Sequence, residues 1–85
     1  MFEQVNQIIE VSASFRDGKL IPQKLIWSGR EIMITQVNLS HHVWEGRSKI
    51  YYFAVSDSVN DYKLRFDSDK LTWDLLEVYA EWTFA

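Results

Sequence analysis

The apolar residues of this chain come in short runs, most of them alternating, and turn sequences separate them. Along Tyr62-Lys63-Leu64-Arg65-Phe66-Asp67 the alternation is strict: Tyr62, Leu64 and Phe66 fall on one side, and Lys63, Arg65 and Asp67 on the other. A period of two marks a half-buried strand, because successive side chains of an extended backbone point to opposite faces. Ile9, Val11, Ala13 and Phe15 repeat the pattern and stop at Arg16-Asp17-Gly18-Lys19. An Asp-Gly pair between two such runs predicts a hairpin, since a type I′ turn needs positive φ at both central residues.

The remaining segments extend this reading. Leu20 to Trp27 predicts a strand with Ile21, Leu25 and Trp27 on one face; Pro22 lacks a backbone donor and marks an edge position or a strand start. Ser28-Gly29-Arg30-Glu31 is a second turn. Residues 32–39 predict a third strand, apolar on both faces at its beginning and so covered on both sides there. Residues 40–48 read as the longest loop, with Gly46 its turning point. Lys49 to Ser56 is a strand dense in aromatics, Asp57 to Asp61 a polar turn, and Asp67 to Lys70 another. In the last run, Leu71 to Trp82, the apolar phase slips from Leu71, Trp73 and Leu75 to Leu76, Val78 and Ala80. A β-bulge accounts for the slip, and a helical turn over residues 74–82 is the rival. Residues 2–8 read equally as a helical turn or as the start of the first strand.

About six strands joined by short turns predict an all-β fold: an antiparallel meander forming a small half-open barrel or a sandwich, one domain over residues 1–85. A domain this small buries only about 60–65% of its unfolded surface, so its core must be dense. The composition allows that, with 47% hydrophobic residues including four Trp, four Tyr and five Phe. Trp27, Tyr52, Phe53, Phe66, Trp73 and Tyr79 are expected to supply most of the aromatic core. With no cysteine, neither a disulfide framework nor a thiol nucleophile is available. No apolar run approaches the roughly 20 residues of a membrane helix, and no targeting segment is visible, so a cytoplasmic protein with no membrane role is expected.

Two surfaces stand out. Arg47, Lys49, Tyr51, Lys63 and Arg65 combine cations with an aromatic ring, the residue types that follow phosphates and stack on bases of a single strand. The net charge of −3 opposes that reading, and a solvated outer sheet face explains the same residues. The second surface comprises His42 and Trp44 in the predicted loop, with Trp82 and Phe84 near the C-terminal end. These suit a partner contact or self-association. His41 and His42, being adjacent, point to opposite sides of any strand, and only Glu45 is a nearby carboxylate, so no metal site is expected. Asp67, Asp69 and Asp74 fail the EF-hand pattern, which places Thr72 and Val78 where Gly and Glu belong. No nucleophile elbow or phosphate-cradling glycine loop occurs, and neither a catalytic residue nor a cofactor is expected.

The segment Phe15-Arg16-Asp17-Gly18-Lys19-Leu20-Ile21-Pro22, followed by Ile26-Trp27-Ser28-Gly29-Arg30-Glu31, resembles the start of a group of small bacterial all-β domains of unknown function. In these a Pro precedes a Trp-x-Gly-Arg turn and aromatic-rich strands. Trp73 through Tyr79 is similar to their closing Trp-x-Leu-x-x-Val-Tyr. The resemblance covers about residues 11–80. It implies an all-β fold and, because some such domains are encoded near translesion-type DNA polymerases, a link to nucleic acid. The residues themselves favour a non-enzymatic protein-interaction or scaffolding module that can self-associate. The alternative is an accessory single-stranded nucleic-acid-binding domain.

Overall fold

The computed structural model describes residues 2–80. They form seven strands: β1 (Phe2–Arg16), β2 (Lys19–Trp27), β3 (Arg30–Met33), β4 (Gln36–Glu45), β5 (Ser48–Ser56), β6 (Asp61–Asp67) and β7 (Thr72–Tyr79). All neighbours are antiparallel, in one sheet of order β3-β2-β1-β7-β6-β5-β4. The all-β class and the meander of sequential hairpins are as expected. One long-range pairing completes the sheet, where the first part of β1 lies against β7.

The hairpins follow from their turn residues. Asp17 and Gly18 have φ of 53° and 76°, and Ser28 and Gly29 of 55° and 76°. Positive φ at both central positions is the type I′ geometry, whose twist matches the flanking strands.

Two boundaries differ from the sequence expectation. The third strand breaks at Ile34-Thr35 into β3 and β4, which gives seven strands instead of six. The predicted loop over residues 40–48 is instead the second half of β4, a Gly46-Arg47 turn and the start of β5. Residues 40–45 show no apolar alternation because β4 is an outermost strand with little of either face buried.

Residues 2–8 are strand, and β1 bends where the register shifts between Gln4 and Gln7, with Asn6 at a positive φ of 51°. In β7 the apolar slip is a bulge: Leu64 pairs with Leu75 and Lys63 with Glu77, leaving Leu76 as the extra residue. Leu75 and Val78 are thereby both buried. A further irregularity leaves Gln23 of β2 without a partner in the ladder with β1. It changes the face of everything before it, so Leu20, not Ile21, packs on the core with Leu25 and Trp27. Pro22 lies just beyond the β2–β3 ladder, which ends at Lys24.

The inner face gathers Leu25, Ile32, Phe53, Val55, Tyr62, Leu64, Phe66, Trp73, Leu75 and Val78. Trp73 is the hub, with ring centroids 4.7 Å from Phe66 and 5.7 Å from Phe53. Two aromatics expected in the core lie elsewhere. Tyr52 falls on the outer face, and Tyr79 is exposed against Phe2.

The sheet curls so that its two ends approach. At one end the chain joins them: Ile34 N–H donates to the Gln23 carbonyl, and Thr35 N–H to the Ser56 carbonyl at 2.8 Å. At the other end β2 and β4 are not paired, and a cleft of about 450 Å³ separates them.

Candidate functional site

The open end of the half-barrel is built around β4, all ten residues of which are exposed. Glu45 pairs with Ser48 across the Gly46-Arg47 turn. In a two-residue hairpin that flanking pair is hydrogen-bonded, and alternation then sends the backbone groups of Val43 and His41 to β5. Those of Trp44, His42 and Ser40 face outward, where no other described strand meets them. An edge of this length is a template for a further strand. Natural edges are commonly blunted by Lys, Pro or a bulge. β4 has no Lys or Pro, its irregularity at Asn38 lies before Ser40, and Glu45 at its end is its one acidic or basic residue besides the two histidines.

Directly opposed residues of antiparallel strands share a face. Ser40 opposes Phe53, His42 opposes Tyr51, and Trp44 opposes Lys49, so these three side chains of β4 belong to the inner, cleft side. The His42 ring lies 5.9 Å from Tyr51, and the Lys49 ammonium sits 5.0 Å above the same Tyr51 ring. Trp44 is 64% exposed. Across the cleft stand Lys19, Leu20 and Ile21 of β2. None of the described residues lining the cleft is acidic, although the chain has 12 carboxylates against 9 cations.

The outer face has the opposite character. Arg65 is held between Glu45 and Asp74, each at 3.3 Å, and Lys63 lies 3.4 Å from Glu77. The Tyr52 hydroxyl, then Glu45 and Asp74, hold the Arg65 guanidinium above its ordinary pKa against the effect of burial. His41 stacks on Tyr52 at 5.4 Å. A shallow groove of about 320 Å³ runs here between Leu39, Ala54 and Leu76.

This arrangement divides the residues singled out in the sequence. Lys49 and Tyr51 are on the inner side, Lys63 and Arg65 on the outer side, and Arg47 at the hairpin tip. The five therefore do not form one surface, and the outer pair is already neutralised by carboxylates. His42 and Trp44 instead join Lys49 and Tyr51. Trp82 and Phe84 lie outside the described residues. His41 and His42 face opposite sides of β4, and no cluster of three or more His, Cys, Asp or Glu suited to a metal occurs among the described residues. Sequence reasoning missed Lys19 and Ser40, because only the curl of the sheet brings β2 opposite β4.

Two aspartates fix the polar turns beside this frame. Burial works against the Asp57 carboxylate, yet the N–H groups of Asn60 and Val59 and the Tyr62 hydroxyl outweigh it and lower its pKa. Burial first, with the Asp57 charge beside it, raises the Tyr62 phenol above its ordinary value. The Lys70 N–H first, with that of Asp69, lowers the Asp67 carboxylate.

No helix among the described residues is long and apolar enough to cross a membrane. In comparisons with known proteins, no family model, curated protein or solved structure matches the chain.

Proposed function

We propose that this protein is an interaction module that works without catalysis and recruits its partner, another protein or a second copy of itself, by strand addition to β4. The observation that supports the reading is the edge itself: ten exposed residues, among them Val37, Leu39, Val43 and Trp44, with an outward backbone that no other described strand meets. Strand addition draws affinity from main-chain hydrogen bonds and specificity from alternate side chains. His42→Pro tests it, because His42 presents its N–H outward and the substitution removes a donor without touching the β4–β5 ladder. Sedimentation over a concentration series, together with affinity purification from the host, is expected to show a complex that His42→Pro abolishes. A strictly monomeric protein that recovers no partner would overturn the reading.

A second reading, binding of single-stranded nucleic acid, is favoured by one cluster: Lys49 over Tyr51, with His42 and the exposed Trp44 beside it. It predicts affinity for short oligonucleotides that falls steeply with salt and is lost in Lys49→Glu, measured by fluorescence anisotropy.

A further inference from the structure

We infer that the strand received by β4 is an acidic, extended segment of another protein, alternating acidic and apolar residues, whose acidic side chains enter the cleft beside Lys19 and Lys49. The inference rests on the strand-addition reading and specifies its ligand. Three observations carry it.

The first is charge. Lys19 and Lys49 line the same cleft, no carboxylate lines it with them, and neither has an ion-pair partner among the described residues. Of the other cations nearby, Lys63 and Arg65 are on the outer face and are paired, Arg16 opposes Lys19 in the β1–β2 ladder, and Arg47 is at the hairpin tip. An uncompensated basic cleft in a chain of net charge −3 is a local arrangement of charge, and it selects an anionic ligand.

The second is the backbone. The outward N–H and C=O groups of Ser40, His42 and Trp44 are satisfied together by another extended polypeptide. A nucleic acid offers phosphates to the lysines but cannot continue the ladder. A second copy of this chain offers, among its described strands, the edges β4 and β3, each with a single carboxylate: Glu45 at the end of β4, and Glu31 of β3, which lies beside Lys24.

The third is the face pattern of β4. Residues of the incoming strand opposite Ser40 and His42 project to the cleft side, where Lys49 and Tyr51 lie. Those opposite His41 and Val43 project to the outer side, where Leu39 and Val43 are exposed. The matching ligand is acidic at one parity and apolar at the other.

The experiment uses the full chain and a fluorescein-labelled peptide of about eight residues alternating valine and glutamate, with anisotropy as readout. Three controls accompany it: a valine–lysine peptide, the acidic peptide N-methylated at alternate amides, and oligo(dT). Expected are saturable binding of the acidic peptide, no binding of the lysine or N-methylated peptides, and affinity weakened about tenfold or more in Lys19→Glu/Lys49→Glu. Circular dichroism confirms that this variant folds, and the N-methylated peptide tests the same contact with the protein unaltered. Failure of the acidic peptide to bind, or equal binding of the lysine peptide, would overturn the inference. If that failure accompanies a complex abolished by His42→Pro, the interaction reading stands and only the acidic ligand falls. If oligo(dT) binds with steep salt dependence, no peptide does and no complex forms, both fall.

Discussion

At the scale of single residues, the turns hold more of the stability logic than their exposure suggests. Asp57 accepts backbone hydrogen bonds from Val59 at 2.7 Å and Asn60 at 2.6 Å through one oxygen, and the Tyr62 hydroxyl at 2.9 Å through the other. Its folded pKa lies below its unfolded value, so around those values the unfolded chain binds the extra proton. The stability this provides is complete above the unfolded carboxylate value of about 3.9 and is lost as pH falls through the folded one. Asp67 acts in the same direction in the next turn. Asp57→Asn is expected to cost about 1 kcal/mol at neutral pH, the net worth of such a bond in a partly solvated turn, and to flatten the fall in stability between about pH 5 and pH 3. Urea denaturation across that range checks both parts; an unchanged acid slope would show that Asp57 contributes nothing there. The Asp17-Gly18 turn was readable from residue type alone, since Asp and Gly tolerate the left-handed region. The Ser28-Gly29 turn was recognisable as a turn, but Ser28 at φ 55° is a poor occupant of its first central position. Ser28→Asn is therefore expected to raise stability by about 0.5 kcal/mol, read as a shift of the denaturation midpoint with no change in slope.

At the scale of elements, legibility followed burial. β6 and β7 were evident because one face of each is buried, and burial forces apolar residues to keep the period of two. Even the slip at Leu76 was visible, because Leu75 and Val78 both had to reach the core. β4 was not legible, because a strand with exposed residues on both faces has no such constraint, and Ser40, His41 and His42 resemble a loop. Sequence also suggested Ile21 as the inner residue of β2, and the unpaired Gln23 gives that place to Leu20. The site inherits this contrast, since its Lys49 and Tyr51 lie on a patterned strand, while the edge that organises them was hidden. The hairpin geometry makes a specific prediction about β4. Amides of Val43 and His41 are bonded to β5, and those of Trp44, His42 and Ser40 face outward. Hydrogen exchange followed by NMR is expected to alternate along the strand, slow at residues 41 and 43 and fast at residues 40, 42 and 44. Uniform protection of all five amides would mean that the edge is already covered in solution.

At the scale of the whole molecule, the decisive contact is the one no local pattern announces. Hairpins account for β1–β2, β2–β3, β4–β5, β5–β6 and β6–β7, but joining β1 to β7 turns these pieces into a single curled sheet. Periodicity assigns faces to strands and cannot say which distant strands pair, so the choice between half-barrel and sandwich depends on where β1 lies. β1 performs this joining by serving two neighbours in succession: Phe2 to Ile9 runs along β7, and Glu10 to Arg16 along β2. The curl between those halves opens the cleft at one end and lets Ile34-Thr35 close the other. Asn6 sits at the register shift with positive φ, a conformation that Asn tolerates and a β-branched residue does not. Asn6→Val is expected to cost about 1–3 kcal/mol, the usual range for a side chain forced into that region. Asn6→Gly is expected to stay within about 0.5 kcal/mol of the parent. Because a domain of this kind has only about 5–15 kcal/mol in total, the valine variant should also lose exchange protection along β1 and β7 before β5 and β6. Equal stability of the valine and glycine variants would show that the backbone at Asn6 relaxes freely, and that the joining of the two halves depends on the core side chains alone.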